Sequence, residues 1–374
     1  MALDVYQKLA RHLDKLPGGF PPTESGVELR ILRRLFTEEE AALALKCTLI
    51  PEEARVIARR AKLTPEEATR RLEDMARKGL IFRFEYKGKV SYMAAQFVVG
   101  IWEYHVNDLD PELIRDMNQY IPHLFKPEHW KKAPQMRTIP VGRSISAEHA
   151  VMPYEQAEEL VRQHKKILVA PCICRREHQM VGQGCDKPLE ACLVFGVGVD
   201  YYERNGLGRR IDAEEALEIL KQADKAGLVL QPTNAQKIVN ICCCCGCCCQ
   251  ILKTMKRYHK PAELAASPFI VKFDPTGCKA CGVCLDRCQM DAFTMEDDKV
   301  ILDLDRCIGC GLCVSTCPTK SLTLERKPPQ EQPQVPRNNF ENLLNLGKAR
   351  GKLTPATLAM MKLKSKVDRL LAQS

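Results

Sequence analysis

Apolar positions in the first hundred residues recur at helical spacing and then switch to alternation. From Val27, the run VELRILRRLFTEEEAALAL keeps a helical period, and PEEARVIARRA opens a second helix with Pro51 at a first helical position. A third helix starts at Thr64-Pro65-Glu66-Glu67, which reads as N-cap, Pro at N1 and Glu at N3, the pattern of a capping box. Gly79 after Lys78 stops it. IFRFEYKGKVSYMA then alternates about Lys87-Gly88, as the strands of a hairpin do.

Beyond Ala95 the pattern loosens into FVVGIWEYHV, a Pro-rich stretch at IPHLFKPEHWKKAP, a strand at MRTIPV and a helix at YEQAEELVRQHKK. Trp102, Trp130, Tyr104 and His105 read there as packing residues. An apolar strand, ILVAP, runs into Cys172-Ile173-Cys174. Farther on, Asp212 caps a helix with Glu215 at N3, Ala216, Leu217, Ile219, Leu220 and Ala223 on one face, and Gly227 as its stop. FIVKFD, DAFTMEDDKVILD and SLTLER alternate as strands, the stiff KPPQEQPQVP follows, and the last residues predict small helices of a docking tail. The predicted fold class is α+β. Its parts are 1–95, a cysteine-rich α/β middle domain at 96–265, a βαββαβ segment at 266–327, and a linker with helical tail at 328–374.

The first part resembles a winged helix-turn-helix domain, which raises the question of DNA. Such a domain reads bases with the start of its third helix, and here that start is Pro65, Glu66 and Glu67, whose carboxylates a phosphate backbone repels despite Arg70, Arg71, Lys87 and Lys89 nearby. DNA is therefore not the expected partner, and protein docking is.

Composition sharpens the picture at one point. At 374 residues the chain exceeds a single ordinary core, and its charge of +9 is spread along it, so no acidic partner is singled out. MALDVYQKLARHLDKLPGG lacks an apolar leader core, and no stretch reaches the roughly 18 apolar residues of a membrane span, so a cytoplasmic protein without a transmembrane segment is expected. Its twenty cysteines, all but Cys47 beyond residue 170, then sit where structural disulfides are rare, which leaves metal ligation. Cys47 alone reads as a buried thiol.

Cys278, Cys281, Cys284 and Cys288 fit C-x2-C-x2-C-x3-C, and Cys307, Cys310, Cys313 and Cys317 repeat it, with Pro318 next. Three closely spaced thiolates wrap one cubane while the fourth points to its neighbour. Cys278, Cys281, Cys284 and Cys317 are accordingly expected on one 4Fe-4S cluster, and Cys307, Cys310, Cys313 and Cys288 on another. Four-cysteine zinc sites space their pairs more widely. The segment resembles bacterial-type two-cluster ferredoxins, with Gln289 after Cys288 where those often carry proline.

The middle field is less regular. Cys172, Cys174, Cys185 and Cys192 supply enough thiolates for a further 4Fe-4S cluster or a zinc site, and the ferredoxin neighbour favours the cluster. Arg175 and Lys187 either stabilise a cluster's negative charge or simply lie in solvent, and for each alone solvent is the expected place. Seven cysteines within Cys242–Cys249 cannot all be inert core thiols; the alternatives are a cluster on three or four of them, one shared with the middle field, or free redox thiols. Cys242, Cys244, Cys245 and Cys248 are the first choice as ligands, for one or two further iron-sulfur clusters in all.

Taken whole, the chain resembles 4Fe-4S dicluster-containing iron-sulfur proteins of anaerobes, on LFTEEEAALAL with KGLIFR, on PCICRREH with GCDKPLEACLVFG, and on the cysteine run. The resemblance implies electron transfer in anaerobic metabolism. The expected role is passage of low-potential electrons to or from a redox partner, a flavoprotein or other oxidoreductase complex, with a homo-oligomer left open. The alternatives are a redox-sensing winged-helix regulator, or a reductase with a catalytic cluster in the Cys242–Cys249 run, although no acid/base pair or Gly-rich phosphate loop names a reaction.

Overall fold

The computed structural model describes residues 3–145 and 151–372. Helices and strands mix in an α+β architecture of two compact units. The first takes residues up to Lys126, then Val197–Leu207 and the chain from Leu343; the second takes Pro127–Gly196 and Gly208–Asn342.

In the first unit, helices Val5–Asp14, Val27–Leu35, Glu38–Ala44, Ala54–Ala61 and Pro65–Arg77 precede the antiparallel hairpin of β1 (Ile81–Tyr86) and β2 (Lys89–Ala94). The stretch with one continuous helical period is broken at Phe36, which is extended. Thr37 accepts a hydrogen bond from Glu40 N while the Glu40 side chain returns to Thr37 N, so a complete capping box starts a new helix there. At Thr64 only half the box forms. Thr64 accepts from Glu67 N at 3.2 Å, whereas the Glu67 carboxylate turns to Arg70 and Arg71. The helix Val197–Arg204 joins this unit through Tyr201, whose hydroxyl lies 3.0 Å from the carbonyls of Ala76 and Ile81.

The tail belongs to the same unit. Arg350 and Lys352 bond Asp14 at 3.0 and 2.6 Å, and in helix Pro355–Leu371 the buried Asp368 accepts from Arg59 at 2.5 Å and Arg60 at 2.6 Å. Arg60 also grips the fully buried Glu52 with two bonds of 2.6 Å. Asp368→Asn removes the anion that two guanidiniums face, for a loss of about 1–3 kcal/mol. Trypsin is then expected to cut among Lys362, Lys364, Lys366 and Arg369 faster than in the unaltered chain; an unchanged digestion rate counts against the clasp.

The second unit is organised by an antiparallel sheet in the order β5-β3-β4-β7-β6, with β3 Ile167–Pro171, β4 Glu190–Phe195, β5 Arg209–Ile211, β6 Val229–Pro232 and β7 Asn240–Cys244. β3 is apolar and buried along nearly its whole length, so it sits in the interior of the sheet. Helix Ala213–Lys225, capped by Asp212, lays Ala216, Leu217, Ile219, Leu220 and Ala223 into the core. The strand expected at MRTIPV appears only as two bridges, Met136 with Thr233 and Ile139 with Leu230. Its amides serve different segments, Arg137 N reaching Pro232 O and Thr138 N reaching Ala266 O, and Pro140 has none to give.

After the sheet, β8 (Phe269–Phe273) pairs antiparallel with β11 (Leu322–Arg326), and β9 (Phe293–Glu296) forms a hairpin with β10 (Lys299–Leu302). The helix Val283–Arg287 follows β8. Where the βαββαβ pattern calls for a second helix, a single turn stands, closed by Ser315 N on Gly311 O at 3.0 Å. Gly309 and Gly311, both at positive φ, keep helical geometry from spreading backward.

Candidate metal centres

All but two of the cysteines gather in four groups within the second unit. Cys278, Cys281, Cys284 and Cys317 line one pocket with Phe273, Val300 and Leu322, around about 330 Å³ of empty space partly open to solvent. Cys288, Cys307, Cys310 and Cys313 line another of about 350 Å³, walled by Val271, Phe293 and Leu312. Each pocket takes three thiols from one repeat and the last from the other. Backbone amides point at the sulfurs, as Ala280 N does to Cys278 at 3.4 Å and Ala292 N to Cys288 at 3.3 Å, an arrangement that stabilises negative charge on sulfur. Burial pushes Cys284 up to about 11 and Cys310 up to about 12, so a metal must displace their protons. Gly309 cannot be replaced here: it holds φ +68°, and a Cβ would meet Phe269 O at 2.1 Å.

The third group was not visible in the spacing. Cys185, Cys245, Cys247 and Cys248 bring their sulfurs within 4.8 Å of one another. The fourth group has six members. Cys192 lies directly across from Cys242 in the β4–β7 register, and Cys244 follows on the same face two residues on. Cys172 caps the helix Ile173–Met180 and Cys249 caps Gln250–Arg257, so both helices start at this site. Thiol hydrogen bonds link Cys174 to Cys172 and Cys249, Cys242 to Cys192 and Cys244, and Cys244 to Cys249. Bonds from Cys192 and Cys244 hold Cys242 well below the ordinary thiol range, and bonds from Cys174 and Cys244 do the same for Cys249, whereas Cys174 and Cys244 are pushed up.

The expected foursomes are thus redistributed. Cys185 parts from Cys172, Cys174 and Cys192, while Cys245 and Cys248 part from Cys242 and Cys244. The sheet register fixes one group, and Gly246 turns the chain toward the other. Cys247 and Cys249, not anticipated as ligands, complete the groups; the signal for Cys249 was its place just ahead of the helical QILKTMKR. Cys243 faces away from Cys242 and Cys244, and burial pushes it up to about 12. Cys47 is fully buried and likewise pushed up to about 12.

Arg175 is fully buried instead of solvated. Its guanidinium donates to the carbonyls of Pro188 and Cys243. Burial disfavours its charge, yet Cys172, Cys245 and Cys244 raise its pKa, so it stands as a cation between the third and fourth groups. It also holds Cys245 below the usual thiol value against the effect of burial. Lys187 donates to Ala226 O at 2.7 Å. Gln289, at the position where ferredoxins often carry proline, accepts from Gly246 N at 2.7 Å and so ties the cysteine run to the wall of the second pocket.

Trp130, buried, donates to Leu264 O at 2.9 Å and is a packing residue. Among the described residues, no helix is long and apolar enough to cross a membrane.

No curated protein and no solved structure matches this chain. The family model for the 4Fe-4S dicluster domain matches residues 277–321, the stretch that contains all eight cysteines of the two pockets, Cys278 through Cys317. On that match and the two four-cysteine pockets whose thiols it spans, the chain is an iron-sulfur protein that binds 4Fe-4S clusters.

Proposed function

We propose that this chain is an electron-transfer protein or subunit of anaerobic metabolism, exchanging low-potential electrons with a cytoplasmic partner oxidoreductase that supplies the two-electron chemistry, such as a flavoprotein. Cys278, Cys281, Cys284 and Cys317 hold one 4Fe-4S cluster, and Cys307, Cys310, Cys313 and Cys288 a second. Cys172, Cys174, Cys192, Cys242, Cys244 and Cys249 hold a further iron-sulfur centre. The observation that carries this reading is that each pocket takes its fourth thiol from the other repeat, an arrangement that would set two one-electron carriers side by side. The clusters supply reversible one-electron chemistry. The chain's own groups tune it: amides aimed at sulfur favour the more negative reduced state, and the Gln289–Gly246 contact shortens the path from the second pocket to the cysteine run.

The N-terminal winged-helix-like part serves docking in this reading. Glu66 and Glu67 open helix Pro65–Arg77, and Glu67 occupies both Arg70 and Arg71, so little basic charge is left there for a phosphate backbone.

Redox titration followed by EPR should show at least two interacting S = 1/2 signals below about −250 mV, near the roughly −400 mV usual for ferredoxin-type clusters. Potentials above that range throughout would refute the low-potential role. Arg175→Met should move the potential of the six-thiol centre about 40–130 mV more negative, since a buried cation worth about 1–3 kcal/mol to the reduced state is lost. Spectroelectrochemistry reads this directly, and an unmoved potential would place Arg175 in a purely architectural role.

A further inference from the structure

We propose that Cys185, Cys245, Cys247 and Cys248 bind a single tetrahedral zinc ion and not an iron-sulfur cluster. The sulfur separations carry the argument. Cys248 lies 3.7 Å from Cys185 and 3.8 Å from Cys247, and Cys185 lies 4.0 Å from Cys245. A zinc ion bound to four thiolates at about 2.3 Å sets tetrahedron edges of about 3.8 Å. Three of the six edges are already close to that length, and the other three stay within 4.8 Å.

A cubane needs a different enclosure. In the eight-cysteine segment the thiols ring two pockets instead of closing on one another, and no four of them come within 4.8 Å of each other. The four sulfurs of the third group, all within that distance of one another, leave no space for a core of irons and sulfides, and among the described residues no other set of potential ligands closes to this degree. Four protein ligands also complete the coordination shell, as in structural zinc sites, where no position stays open for chemistry.

The ligands come from two separate pieces of chain. Cys185 lies in the exposed loop after helix Ile173–Met180, and the other three flank Gly246, where a Cβ would strike Gln289 O at 2.3 Å. The ion therefore clasps that loop to the turn between β7 and helix Gln250–Arg257. Its place beside Arg175 sets a fixed, redox-inert charge next to the six-thiol centre.

The test uses the full chain prepared without oxygen. Elemental analysis should find about one zinc per chain beside the cluster iron. Cys247→Ser, at the exposed member of the group, and Cys185→Ser should each lose that zinc with iron and acid-labile sulfide unchanged. Loss of about four irons and four sulfides in either variant overturns the proposal in favour of a cluster, and loss of one iron without sulfide overturns the assignment to zinc. X-ray absorption at the zinc edge of the unaltered protein, which needs no variant to fold, should show four sulfurs at about 2.3 Å. A shell of nitrogen or oxygen donors overturns it. None of these readouts depends on electron transfer, so failure of the cluster wire would leave the zinc result standing.

Discussion

Cys317→Ala is expected to eliminate the EPR signal of the cluster held by Cys278, Cys281 and Cys284, together with about four irons per chain, while leaving the cluster of its own repeat in place. The residue sits in the second motif, yet its thiol lines the first pocket. Hydrogen bonding from Thr319 holds it below the ordinary thiol range despite burial, so it is prepared to ligate. Cys288→Ala should do the converse, removing the signal of Cys307, Cys310 and Cys313. Both variants should lose the magnetic interaction between the two clusters. If Cys317→Ala instead silences the cluster of the second repeat, the exchange of ligands is wrong.

A comparable loss, this time of stability, is expected from Asp224→Ala. Asp224 is buried in the last turn of helix Ala213–Lys225, where the helix dipole disfavours a carboxylate. Three donors compensate: Arg143 Nε at 2.6 Å, Arg287 Nη2 at 2.8 Å and Ser315 Oγ at 2.9 Å. Arg287 also donates to the carbonyls of Asp224 and Lys225 and so closes the end of the same helix. The carboxylate thereby joins the sheet helix to both cysteine repeats, through Arg287 before Cys288 and Ser315 before Cys317. Removing it leaves Arg287, with its side chain only 13% exposed, without a counter-charge. The expected cost is about 3 kcal/mol, or roughly 6–10 °C in Tm for a domain of this size. Thermal unfolding under anaerobic conditions checks it. Asp224→Asn, which keeps the shape and some hydrogen bonds, should recover part of the loss; equal melting of all three chains would remove Asp224 from this role.

The parts that sequence made legible are those whose information is local. The three closely spaced thiols of each repeat line one pocket, since a short loop wraps its nearest residues, and the alternation of DAFTMEDDKVILD foretold the strands β9 and β10. The helix over 213–225 followed from its cap and apolar face. The break at Phe36 was readable in Thr37 and Glu40, but continuous periodicity masked it. The middle thiols were out of reach for another reason. Cys192 meets Cys242 because β4 lies beside β7, and Cys185 meets Cys245 through a return of the chain that no periodicity encodes. Arg175 deceived for a related reason, because a basic turn reads as surface until the strand that covers it is known.

The union of Asp14 with Arg350 and Lys352, and of Arg60 with Asp368, has a consequence for how this protein comes into being. On the ribosome, the opening helices and hairpin emerge first but must wait for their final partners until the whole metal-binding stretch has been translated. Contacts of such long sequence separation form slowly, so the metal-binding half has the chance to mature while the other half is still incomplete. A nascent chain that stalls short of residue 350 would present its cysteines to the iron-sulfur assembly machinery with an unfinished N-terminal half.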